Sequence, residues 1–136
     1  GPTNRFWPAA VAADLISPEA ARRPLVALAR DRVGMTDLVK RATPRADQLT
    51  RAEYRAGAAR LSRMMAWLGP GLVLFVGLAG WRAAIDRRAR AGVQPDGFAG
   101  VPAYVMPSTS GLNAATTMAH LVEHMHSAQL AQLAGG

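Results

Sequence analysis

The sequence predicts an α/β fold, a three-layer α/β/α sandwich on a short parallel sheet, and three observations predict it. Two continuous apolar runs, "LVLFVG" (72–77) and "VPAYVM" (101–106), have the length and composition of strands covered on both faces. A helical stretch follows each of them, and strand–helix–strand–helix order implies parallel strands with helices above and below. Half of the 136 residues are apolar, enough for one sizeable core, so residues 1–136 read as a single domain.

The elements follow in order. "NRFWPAAVAADLI" (4–16) predicts a helix, with Pro8 in the first turn and Ala and Val repeating behind it. Ser17-Pro18-Glu19 is a helix start, Pro24 interrupts the segment, and Gly34 ends it. Residues 35–50 are mostly loop. Thr50 and Glu53 form a capping box for a helix over 50–69, with Tyr54, Ala58, Leu61, Met65 and Leu68 on one face. Gly69-Pro70-Gly71 stops it. The first strand (72–77) leads to a basic helix, "AGWRAAIDRRARAG", which Gly92 ends; "PDGFAG" is a turn before the second strand. A C-terminal helix starts from Asn113 or Thr116. Two strands are too few for a stable open sheet, so at least one strand is missing from this reading.

The bulk numbers exclude several classes of chemistry. There is no cysteine, which rules out disulfides, thiol nucleophiles and Cys-based zinc sites and fits a cytoplasmic protein. The longest apolar stretch, "GLVLFVGLAG" (71–80), is half the roughly 20 residues a membrane-spanning helix needs. "GPTNRFWPAA" has neither the basic leader nor the apolar stretch of a secretory segment, and no membrane partner is expected. The formal net charge is +7, and all of the 16 basic residues except Lys40 are Arg. An excess of planar guanidinium forks suits a polyanion with paired phosphate oxygens, although base composition of the gene can also write Arg for Lys.

Four stretches could carry chemistry. "HLVEH" (120–124) has the H-x-x-E-H spacing of a zinc peptidase class, with His120 and His124 on one helical face, but such a site needs a further ligand well downstream. "GLVLFVGLAGW" lacks the third glycine and the acidic residue of a dinucleotide site, and close strand–helix packing accounts for its glycines. In "GMTDLVKRATPRA" (34–46), Asp37 is the only carboxylate among Lys40, Arg41 and Arg45. It either caps a short helix over "LVKR" or holds a water or a base edge. "MPSTSGLNA" (106–114) would lie beyond the carboxyl end of a strand, where ligands of such sheets collect. Its backbone N–H groups and the hydroxyls of Ser108, Thr109 and Ser110 could hold a phosphate. Leu112 is then either a staple folded back on the fold or an apolar wedge of the kind pushed into a base stack.

Three stretches, "GPTNRFW" (1–7), "VGMTDLVKRATPRADQLTRAEYRAGAARL" (33–61) and "MPSTSGLNA", resemble the mismatch-specific uracil/thymine-DNA glycosylase family of the uracil-DNA glycosylase superfamily. The likeness runs in order to about residue 130. It implies a DNA-repair enzyme that flips a uracil, thymine or modified pyrimidine out of duplex DNA containing G·U or G·T mismatches and hydrolyses its N-glycosidic bond. It implies no metal or organic cofactor, and a monomer working at the nucleoid. Gly111, Leu112 and Asn113 would fill the hole left by the flipped base, Ser108 and Ser110 would meet the DNA backbone, and Lys40, Arg41 and Arg45 would hold phosphates. Ala114 departs from the Arg of some members. Asp37 stands where members carry Asn or Lys facing the base pocket, which implies a catalytic carboxylate there. The family's G-I-N-P-G motif, whose Asn positions the attacking water, lies upstream of N-R-F-W, so the resemblance implies a longer protein of which this chain is an N-terminally incomplete domain. A DNA-binding remnant without activity is the alternative.

Overall fold

The structure is a computed structural model, and it describes residues 4–38 and 50–135. Its elements are α1 (Phe6–Ala12), α2 (Pro24–Val26), α3 (Arg51–Leu68), β1 (Val73–Val76), α4 (Leu78–Ala84), β2 (Gly92–Phe98), β3 (Val101–Met106) and α5 (Met118–Gly135). The strand order is β1-β3-β2, with β1 parallel and β2 antiparallel to the central β3.

Side-chain alternation along β3 builds the layers. Tyr104 and Met106 point to one face and pack with Ala9, Ala10 and Ala13 of the α1 region and with Leu121, Met125 and Ala128 of α5. Ala103 and Val105 point to the other and pack with Trp81 of α4, Ala89, Phe75 and Phe98. Trp81 meets the rings of Phe75 and Phe98 edge-on at 5.3 and 5.9 Å between centroids. α3 lies against α4, where the Tyr54 ring closes on Gly80 so tightly that a Cβ there would sit 3.3 Å from it. The α/β class and the three layers therefore stand.

The sheet, however, is mixed where a parallel one is expected, because residues 95–98 of the supposed turn belong to a third strand. Val93 pairs with Tyr104 and Gln94 with Ala103, and the register then slips before Phe98 meets Val101. Pro95 cannot donate to the ladder and Gly97 takes φ +61, so these residues form a bulge, and their turn-like composition hides the strand. Ala99 and Gly100, both at positive φ (52 and 80), close a two-residue hairpin whose twist matches the strands.

Other boundaries shift for local reasons. Thr50 and Glu53 do form both bonds of a capping box, and Gly69 ends α3 in the left-handed conformation. Leu68, expected on the buried face, is 56% exposed. The segment after α1 is a 3-10 turn over Pro18–Ala20, then α2, which widens into a π turn over Ala27–Asp31 that Arg32 stops, two residues before Gly34. The Asp31 carboxylate accepts from the backbone N–H and hydroxyl of Ser17, closing that loop. α4 stops at Ala84 rather than running to Gly92, and α5 is capped by Thr117, whose hydroxyl accepts from the His120 N–H at 3.1 Å. Among the described residues no helix is long and apolar enough to cross a membrane.

His124 ties α5 to the sheet. Its Nδ1 and the Tyr104 hydroxyl share a hydrogen bond of 2.7 Å. Burial lowers the imidazole pKa; Glu123 opposes this and His120 adds to it. The folded chain therefore binds this proton less readily than the unfolded one. The contribution is complete above about pH 6.5, where both states are neutral, and is lost as pH falls through the depressed folded value. Urea midpoints measured from pH 8 to 5 should fall toward acid, and His124→Gln should flatten the part of that fall beginning near pH 6.5.

Candidate nucleic-acid interface

β3 ends at Met106 because Pro107 has no N–H to continue the ladder. The residues that follow bond to one another. The Ser108 hydroxyl accepts from the Ser110 N–H (3.1 Å), the Ser110 hydroxyl accepts from the Leu112 N–H (3.2 Å), and the Ser110 carbonyl accepts from the Asn113 N–H (3.0 Å). Short hydroxylated side chains suit this chain of turns because they replace backbone partners locally. The Asn113 amide then donates to the Ser108 carbonyl and to the Thr116 hydroxyl, both at 3.0 Å, and closes the loop. Leu112 is left at the apex, 67% exposed, so it is not a staple folded back on the fold.

The loop is held from below by the start of the chain. The Thr109 carbonyl accepts from the Arg5 N–H at 2.9 Å, and the buried Thr109 hydroxyl donates to Asn4 Oδ1 at 2.9 Å. The Arg5 guanidinium, partly buried, donates to the carbonyls of Thr116 (2.6 Å), Asn113 (3.0 Å) and Ser110 (3.2 Å). Hydrogen bonds from a charged donor are worth roughly 1.5–3 kcal/mol each in a protein, and a single rigid fork supplies all three. The Arg5 Nε is buried without a partner among the described residues.

Ser108, Ser110, Gly111, Leu112 and Asn113 are thus brought together as the sequence predicts. Thr109 is not available to a ligand, because its hydroxyl turns inward. Asp37 is exposed, and its carbonyl accepts from the guanidinium of Arg60 on α3. The next carbonyl, that of Leu38, lies against Gly57, where a Cβ would come within 1.9 Å of it. No hydrogen bond or ion pair joins Asp37 to the loop among the described residues. Lys40, Arg41 and Arg45, and the helix that Asp37 would cap, lie outside the described residues. His120 and Glu123 are exposed while His124 turns to Tyr104, and no group of three possible metal ligands occurs among the described residues. Sequence reasoning misses Asn4 and Arg5 as site residues; the N-R-F-W likeness marks the segment without telling what it holds.

Chemically, the serine hydroxyls accept from the loop backbone and keep their O–H hydrogens free to donate to an anion. Beside them stands one exposed apolar side chain on an internally bonded loop. Fold and loop together define an α/β protein whose sheet end suits a phosphate backbone and an apolar insertion. The family described as the uracil DNA glycosylase superfamily matches residues 1–130, and the chain belongs to that superfamily. Membership places it among the DNA glycosylases, hydrolases that act on DNA.

Losing Arg5 should loosen the loop before it touches the sheet. Arg5→Ala is expected to cost about 2–3 kcal/mol, read as a lower urea midpoint, because three loop carbonyls lose a charged donor. Arg5→Lys should recover only part of this, since an ammonium cannot reproduce the fork.

Proposed function

We propose that this chain belongs to an enzyme that excises uracil, and also thymine or modified pyrimidines, from duplex DNA at G·U and G·T mismatches by hydrolysing the N-glycosidic bond. The observation that carries the reading is Leu112, an exposed leucine at the apex of a loop bonded to itself and to Arg5. Leaving such a side chain in water forgoes about 1.5–3 kcal/mol that its burial would supply, and insertion into a base stack supplies it only when a base leaves. The Ser108 and Ser110 hydroxyls donate to phosphates beside the flipped nucleotide, and Gly111 lets the backbone come close to the strand. Asn113 shapes the wedge from inside, since its amide hydrogens are already engaged within the loop. Lys40, Arg41 and Arg45 add cations for neighbouring phosphates.

Asp37 is proposed as the group that acts on the attacking water. As water attacks the anomeric carbon, the base leaves with the bonding electrons, and a carboxylate can accept the water's proton or offset positive charge growing on the sugar. What supports this role is that its carboxylate is exposed while its carbonyl accepts from Arg60 and the Leu38 carbonyl after it lies against Gly57.

Two measurements on the full-length protein test this. In single-turnover assays on a G·U duplex, Asp37→Asn should slow uracil release by about 10²-fold or more, the usual loss for an acid–base group; equal rates would remove Asp37 from the chemistry. Leu112→Ala should lower excision of paired uracil about tenfold, the equivalent of ~1.4 kcal/mol, and leave excision from single strands nearly unchanged. An equal loss on both substrates would count against the wedge. Binding to the duplex without any uracil release would point to a DNA-binding protein instead.

A further inference from the structure

The segment between α4 and β2 carries three arginines, Arg87, Arg88 and Arg90, all exposed. A run of exposed charge is often only a solvated surface, but this one is held in place from several sides. Ala89, between Arg88 and Arg90, is 4% exposed and packs in the core beneath α4. Its carbonyl accepts from the Arg82 Nε at 2.8 Å. The Asp86 carboxylate is turned to the Arg88 backbone N–H (2.9 Å), and the Asp86 carbonyl accepts from the Ala89 N–H (3.1 Å). On the far side the buried Gln94 amide donates to the carbonyls of Arg90 (2.7 Å) and Gly92 (3.0 Å). The backbone is thus fixed through Ala89 and Arg90, and no ion pair joins any of the three guanidiniums to another described residue.

Strand register fixes where they stand. Gly92 pairs with Val105, one residue before Met106, where the Ser108–Asn113 loop begins. Because β2 runs antiparallel to β3, its first residues lie at the carboxyl end of β3, about 4.8 Å to the side. Arg90 precedes Gly92 by two residues, so the segment that carries the arginines enters β2 at the sheet end from which the Leu112 loop departs.

We propose that Arg87, Arg88 and Arg90 form a phosphate-binding rim that grips the DNA backbone within a few nucleotides of the base handled by the Leu112 loop. The proposal rests on the reading that this end of the sheet faces DNA. Unpaired guanidinium forks on a fixed backbone suit adjacent phosphates because no existing ion pair must be broken on binding. Each phosphate contact contributes about 0.9 to the slope of log affinity against log salt on duplex DNA.

The test measures binding of the full-length protein to uracil-free and uracil-containing duplexes between 50 and 200 mM salt. Replacing all three arginines by Gln should lower the salt slope by about 2–3, so the wild type loses ~40-fold more affinity than the variant over that range. Neutral methylphosphonates within three nucleotides of the uracil should weaken the wild type clearly more than the triple variant, which keeps only the contacts of Ser108, Ser110 and the other cations. An unaltered slope would overturn the proposal. So would a lowered slope with an undiminished methylphosphonate effect, since the charges would then act from elsewhere. Uracil release separates the two readings: normal release with an unaltered slope sinks the rim alone, and a lowered slope without release sinks the glycosylase assignment alone.

Discussion

The Arg5 guanidinium bonds to carbonyl oxygens that lie 105, 108 and 111 residues away along the chain, all within one loop. The loop's own hydroxyls and the Asn113 amide satisfy many of its donors, and Arg5 supplies the charged donor that its inward carbonyls need. A loop that exposes a leucine must resist collapsing onto it, because burial of that side chain is favourable. Here the carbonyl side is occupied by Arg5 and Thr109 is buried beneath, so Leu112 has nowhere inward to go.

The second constraint is the central position of β3. With a neighbour on each edge and helices on each face, this strand is buried at five of its six residues. The Met106 carbonyl still accepts from the Gly77 N–H at 2.9 Å, so the sheet stays bonded up to the residue before Pro107. The Ser108–Asn113 loop, with Leu112 at its apex, leaves the sheet from this fixed end. The turn after β1 sits there too, with Gly77 at φ +115, a conformation that side chains rarely adopt.

Much of this was legible in the residues, and the failures have identifiable causes. The apolar runs of β1 and β3, the capping box at Thr50 and Glu53, and the cluster Ser108, Ser110, Gly111, Leu112 and Asn113 depend on local pattern, and the structure places them as read. β2 was hidden because Pro95, Asp96 and Gly97 have turn composition, and only pairing with a neighbouring strand makes a bulge of them. The helix after β1 is shorter than its sequence pattern because the Asp86 carboxylate accepts from the Arg88 N–H beyond the helix end. Thr109 carries the same hydroxyl chemistry as Ser108 and Ser110, yet burial against Asn4 takes it out of the surface.

What the sequence by itself determined is what short-range patterning controls: the α/β class, the identity of the loop, the basic balance and the family to which residues 1–130 belong. What only the tertiary structure decided is who touches whom. That Leu112 stands exposed instead of folding back, that Arg5 anchors its loop, and that β2 starts at the carboxyl end of β3 all depend on contacts between distant segments. Such contacts leave no periodic signal, because a guanidinium that bonds backbone carbonyls asks nothing of the side chains at those positions.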